Sequence, residues 1–175
     1  MIKAENLGKN FDDFVAVHGL SFNVGEGELL ALLGPIGAGK TTTVRMLSSI
    51  LKPTTGQAWI AGYDVVTQPA EVRRSIGLLT EQPALYLRMT GMEYLEFYGR
   101  LYGLKDKYIR ERGGALLKRF NMAEASHRRL GQYSKGMRQK VCLIRTMLHD
   151  PAVLLFDEPT SAMDPHSAKL VRDAI

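Results

Sequence analysis

Apolar and polar positions follow three different rhythms along the chain. The first 62 residues are strand-rich and hold one helix. Phe14, Val15, Ala16 and Val17 predict a short strand, and Leu20, Ser21, Phe22, Asn23 and Val24 predict another with alternating faces. Gly25 and Gly27 mark a turn over 24–28. Leu29, Leu30, Ala31, Leu32 and Leu33 then form a continuous apolar run, the pattern of a strand buried on both faces. A glycine-rich loop follows, and a helix is predicted over about 40–51, stopped by Pro53 and Gly56. Another strand is predicted over 57–61.

From about residue 88 to 150 the period becomes helical. Thr90 and Glu93, three apart, form a capping box. Met92, Leu95, Tyr98, Leu101 and Tyr102 then recur at helical spacing. Ile109, Leu116, Leu117 and Phe120 mark a second helix, and 137–148 a third. The rhythm returns to a strand at Ala152, Val153, Leu154, Leu155 and Phe156, which ends in Asp157 and Glu158. Asp164 followed by Pro165 is a helix start. That helix has barely begun at Ile175, so a missing C-terminal part is expected. Alternating strands and helices make an α/β fold.

Composition narrows the class. The chain has 175 residues, 45% hydrophobic and 23% charged, which fits one globular domain and excludes a fibrous or disordered chain. One cysteine, Cys142, excludes an internal disulfide and a Cys-based zinc cluster. No apolar run approaches the length of a membrane span, and Met1 to Asn6 lack the apolar stretch of a signal peptide, so a cytoplasmic location is expected. The net charge of +5 is uneven: residues 100–150 hold 13 of the 23 Lys and Arg but four of the 18 Asp and Glu. That segment reads as a solvated helical face, as a docking surface near anionic lipid, or as a nucleic-acid surface. No aromatic-basic alternation or zinc-finger spacing supports the last, and no nucleic-acid partner is expected.

The chemistry sits in Gly34, Pro35, Ile36, Gly37, Ala38, Gly39, Lys40 and Thr41, a match to G-x-x-x-x-G-K-[ST]. The glycines let the backbone curl so that successive N–H groups face phosphate oxygens. The helix behind the loop offers its positive N-terminus to the same anion. Lys40 reaches the β/γ-phosphates, and the Thr41 hydroxyl is a ligand for Mg²⁺. A chance match in a chain of this length is on the order of one in a hundred. The apolar strand ending at Asp157 places that carboxylate at the C-terminal edge of the sheet, where it can hold Mg²⁺. Glu158 beside it can polarise a water for in-line attack.

With these motifs in order, the chain resembles the nucleotide-binding domains of ATP-binding cassette (ABC) transporters over nearly its whole length. Phe11 sits where that family stacks an aromatic ring on adenine. The phosphate loop runs from Gly34 through Thr42. Gln82, after Leu79, Thr80 and Glu81, resembles the Q-loop glutamine. Tyr133, Ser134, Lys135, Gly136, Met137, Arg138, Gln139 and Lys140 resemble the signature motif. Asp157 to Asp164 resemble the Walker B end running into the D-loop. The form of the signature is similar to that of exporters whose membrane partner is of the ABC-2 type.

The resemblance implies a P-loop NTPase core of mixed sheet and helices, with an N-terminal antiparallel β region and an inserted helical subdomain. One nucleotide-binding domain would span 1–175, with the core in about 1–87 and 151–175 and the signature subdomain in about 88–150. It implies an ATPase using ATP and Mg²⁺, with Lys40, Glu158 and Gln82 catalytic and Thr41, Gln82 and Asp157 around the metal. Ser134 and Gly136 would serve the γ-phosphate of an ATP bound to another copy, in a head-to-tail homodimer or heterodimer. A separate ABC-2-type permease would complete an exporter, placing this subunit on the cytoplasmic face of the cell membrane.

Four departures accompany the resemblance, the mildest being Lys135 in place of a glycine common in the signature, which the exporter subgroup tolerates. Ile36 stands where the family has Asn, and its branched Cβ is expected to crowd the loop. Met163 stands for the D-loop leucine. None of His18, His127, His149 and His166 lies at the family's switch-histidine position, roughly 30 residues after Glu158. Ile36 and the missing end leave a second reading open: a truncated or degenerate nucleotide-binding module without useful catalysis.

Overall fold

A computed structural model of the chain describes residues 1–80 and 85–157. They fall into two compact units, Met1–Leu78 with Pro151–Asp157 in the first and Leu79–Asp150 in the second.

In the first unit, β1 (Ile2–Phe11) pairs antiparallel with both β2 (Phe14–Val24) and β3 (Thr55–Ile60), and β4 (Tyr63–Asp64) extends the sheet beyond β3 in the order β2-β1-β3-β4. β1 has no simple period because it is bulged. Ile2 and Ala4 point to the core, the next core residue is Leu7, and the phase slips at Asn6, whose φ is 49°. The strands predicted over 14–17 and 20–24 are one strand, β2, with Gly19 inside it at φ 60°. α1 (Lys40–Leu47) is shorter than the predicted 40–51. Ser49 turns left-handed at φ 56°, and the Ile50 and Leu51 amides both donate back to the Arg45 carbonyl at 3.0 Å, which closes the helix before Pro53 can.

The apolar run 29–33 is not the doubly buried strand its composition predicts. It joins no ladder among the described strands, and Leu29 and Leu33 are 76% and 91% exposed. An apolar run reports a central strand only when neighbours flank it on both sides. α2 (Pro69–Ser75) leads directly into β5 (Ile76–Leu79), which forms a separate two-stranded sheet with β6 (Val153–Phe156). Leu7, Met46, Ala58 and Ile60 of the first sheet and α1 share one buried core with Val72, Ile76, Val153 and Leu155.

The second unit is built on α3 (Gly91–Leu101), α4 (Asp106–Arg119) and α5 (Lys135–Met147). The predicted capping box is present: the Thr90 amide donates to Glu93 Oε2 at 2.8 Å, and the Glu93 amide donates to Thr90 Oγ1 at 3.3 Å. Tyr94, Leu95, Ile109, Leu117, Phe120 and Leu143 fill its interior. Several arginines of the basic segment find partners within the unit, most of them at its surface. Arg100 pairs with Asp106, Arg110 with Glu96 and Arg112 with Asp150. Arg128 and Arg138 donate to backbone carbonyls, and Arg145 lies over the Tyr98 ring. The helix predicted from Asp164 lies outside the described residues. No helix among the described residues is long and apolar enough to cross a membrane.

Candidate functional site

The phosphate loop bends on two glycines. Gly37 and Gly39 have φ of 84° and 81°, a region in which a side chain is strained, and Gly39 is the N-cap of α1. A Cβ on Gly39 would meet the Ala16 carbonyl oxygen head on and Val17 Cγ2 at 2.8 Å. The base of the loop therefore rests on β2, a contact between residues 23 apart that no local pattern announces. No side chain caps α1 and no acid occupies its first turn, so its leading N–H groups are offered to an anion. Ile36 does not crowd the loop as its branching predicts. Its side chain is fully exposed and its backbone is outside the positive-φ region.

Lys40 Nζ donates to the carbonyls of Gly34 and Pro35, each at 2.8 Å, and so holds the loop closed over itself. Thr41 Oγ1 donates to Asp157 Oδ1 at 3.1 Å, across 116 residues of sequence. That bond brings together the residue after the lysine and the carboxylate at the end of β6. One hydroxyl and one carboxylate suit Mg²⁺, which keeps several waters and takes few protein ligands beside substrate phosphates. Among the described residues no cluster of three or more His, Cys, Asp or Glu forms a fuller cage. Thr43, two residues further along the helix, is buried and returns its hydroxyl to the Gly39 carbonyl at 2.9 Å.

Phe11 ends β1 directly opposite Phe14, across a turn at Asp12 and Asp13, and the Lys9 ammonium lies 5.1 Å from its ring centroid. Pro35, Ala38 and Thr42 lie in the loop and the start of α1, as expected. In the second unit Ser134 is the N-cap of α5 and accepts from the Met137 amide at 3.2 Å; Gly136 lies in the first turn. No acid occupies that turn either. Arg138 ties the preceding segment down through the Leu130 and Gly131 carbonyls, at 3.2 and 3.0 Å. Gln82, Glu158 and Met163 lie outside the described residues.

A lysine-bearing loop between β2 and α1, with a threonine bonded to the acid just past a second strand, is the arrangement of a P-loop. The profile of the ABC transporter family matches residues 17–161. The ABC transporter ATP-binding protein NatA of Bacillus subtilis (strain 168) is 44% identical, over 100% of this chain and 73% of that protein. The doxorubicin resistance ATP-binding protein DrrA of Mycobacterium tuberculosis (strain CDC 1551 / Oshkosh) is also 44% identical, over 92% of this chain and 49% of its own length. Relatives such as YxlF, DrrA2 and DrrA are spanned for about half their length. Among solved structures, an ATP-binding subunit of an ABC transporter superposes with TM-score 0.89 at 29% identity, covering 98% of this chain and 72% of that one. The dimeric bacterial cassette MJ0796 gives 0.89 at 25%, covering 99% and 80%. The chain belongs to the ABC transporter family, and its fold is that of the family's ATP-binding cassettes.

Proposed function

We propose that the chain is the ATP-binding and ATP-hydrolysing subunit of an ABC-type exporter. The Thr41–Asp157 hydrogen bond beside the lysine-closed loop carries this reading, because it joins a metal-binding pair to a phosphate cradle. The loop from Gly34 to Thr42 wraps the triphosphate with its amides, and Lys40 leaves the Gly34 and Pro35 carbonyls for phosphate oxygens. Thr41 and Asp157, with Gln82, hold Mg²⁺, which supplies charge neutralisation on the phosphates. Glu158 orients the attacking water and accepts its proton. Phe11 stacks on the adenine.

Ser134 and Gly136 serve the nucleotide of a second cassette in a head-to-tail dimer, and the cassette works against an ABC-2-type membrane protein on the cytoplasmic face. One nucleotide-binding domain then spans the chain, with about 88–150 as the signature part. The solved dimer of MJ0796 and the drug-resistance names of several relatives support the dimer and the direction of transport. Glu158→Gln tests the core of the proposal. We expect it to keep ATP binding, abolish phosphate release and trap a dimer by sedimentation. Normal turnover in Glu158→Gln would remove that residue from the mechanism.

A further inference from the structure

Two phenylalanines stand exposed at the end of the β1–β2 hairpin, and only Phe11 has a role in the proposed function. Phe14 is 63% exposed and Phe11 45%. An exposed aromatic pair at a hairpin end stabilises little by packing alone, so its surroundings decide its use. Phe11 and Phe14 are directly opposed in the β1–β2 ladder, which puts both rings on one face of the hairpin. Two positions back along β1, Lys9 shares that face, and its ammonium over the Phe11 ring agrees with this. Lys9 is paired with Val17. Val17 is the side chain against which Gly39, the N-cap of α1, rests. Val17 itself is buried in the core, and the ladder shifts register between it and Val15, so it is the seat of the loop on Ala16 and Val17, two and three residues along β2 from Phe14, that sets the loop near the hairpin end. Phe14 lies three residues from Val17, about 10 Å along the strand. A nucleotide with its phosphates at Gly39 and Lys40 would have its base within reach of this hairpin end.

We propose that Phe14 is a second base-binding residue, forming with Phe11 an apolar shelf for the purine of the nucleotide. The inference rests on the nucleotide reading above and adds a residue to it. Neither ring carries a hydrogen-bond donor or acceptor, so the shelf holds adenine and guanine alike: stacking uses the π-face that every base presents. Lys9 over Phe11 adds positive charge at the edge of the shelf.

The experiment is calorimetric titration of the 175-residue chain and of Phe14→Ala and Phe14→Tyr with MgATP, MgGTP and magnesium tripolyphosphate. Phe14→Ala is expected to lose about tenfold in affinity for both ATP and GTP, the order lost when one stacking ring is removed. Tripolyphosphate, which has no base, is expected to bind the variant as it binds the parent, and Phe14→Tyr is expected to restore ATP affinity. Unchanged ATP affinity in Phe14→Ala, whether or not its sedimentation changes, overturns the proposal and leaves the nucleotide reading standing. An equal loss on tripolyphosphate also overturns it, because the residue would then act on the loop. Loss on one purine alone overturns the shelf as a tolerant surface. A parent chain that binds neither ATP nor tripolyphosphate removes the nucleotide reading, and the shelf with it.

Discussion

Gly37 and Gly39 offer a matched pair of substitutions two residues apart. Their φ angles, 84° and 81°, are nearly equal, so Ala at either site suffers the same left-handed strain, about 1–2 kcal/mol. Their surroundings differ. A Cβ on Gly37 meets nothing within 4 Å, whereas one on Gly39 runs into the Ala16 carbonyl and into Val17 Cγ2 at 2.8 Å. A strand carbonyl cannot rotate aside, so the Gly39 variant must shift α1 away from β2. Forced overpacking of this kind adds about 1–3 kcal/mol. Urea unfolding without nucleotide measures both, through midpoints at constant slope. Gly39→Ala is expected to be the less stable of the two by about that overpacking cost. Equal midpoints for the two variants would refute the packing of the loop on β2, whatever their effect on ligand binding.

Thr41→Val keeps the shape of the side chain and removes the hydroxyl bonded to Asp157; it should lower MgATP affinity about tenfold while metal-free ATP binds as before, by titration with and without EDTA. Glu93 is held below the usual carboxylate range, chiefly by the Thr90 amide it accepts. Its folded pKa is lowered, so the stability it contributes is present above the unfolded value of about 4.3 and is lost as pH falls through the folded value. Glu93→Ala should therefore lower the urea midpoint more at neutral pH than in acid. Cys142 is fully buried and desolvation pushes its thiol pKa up, so a thiol reagent should label the native chain only as fast as it unfolds, and rapidly in denaturant.

Local chemistry made parts of the structure legible. The capping box at Thr90 and Glu93 and the G-K-T loop are short-range patterns with a physical cause inside a few residues, and both appear in place. Strand β6, with Asp157 just past its end, was readable for the same reason. What failed was non-local. β1 is hidden because its bulges break the two-residue period at Asn6. Residues 29–33 carry the apolar content of a central strand without described neighbours to pair with. The seat of Gly39 on Ala16 and Val17 joins residues 23 apart and leaves no periodic trace. The basic segment reads as a solvated face in composition, and Arg100 and Arg110 are exposed there as expected, but their ion pairs, like that of Arg112 with Asp150, depend on the packing of the helices and leave no trace in composition. In the candidate site, Lys40, Thr41 and Asp157 were found by motif, whereas the pairing of Phe11 with Phe14 needed the hairpin register.

The leucines before the phosphate loop have a thermodynamic corollary. Leu33 is 91% exposed and is covalently joined to Gly34, the first residue of the cradle. Covering such a leucine is worth about 1.5–3 kcal/mol. Any surface that shelters Leu29 and Leu33 also fixes the entrance to the cradle. By reciprocity, whatever factor this shelter adds to ligand affinity, the ligand returns to the sheltering contact.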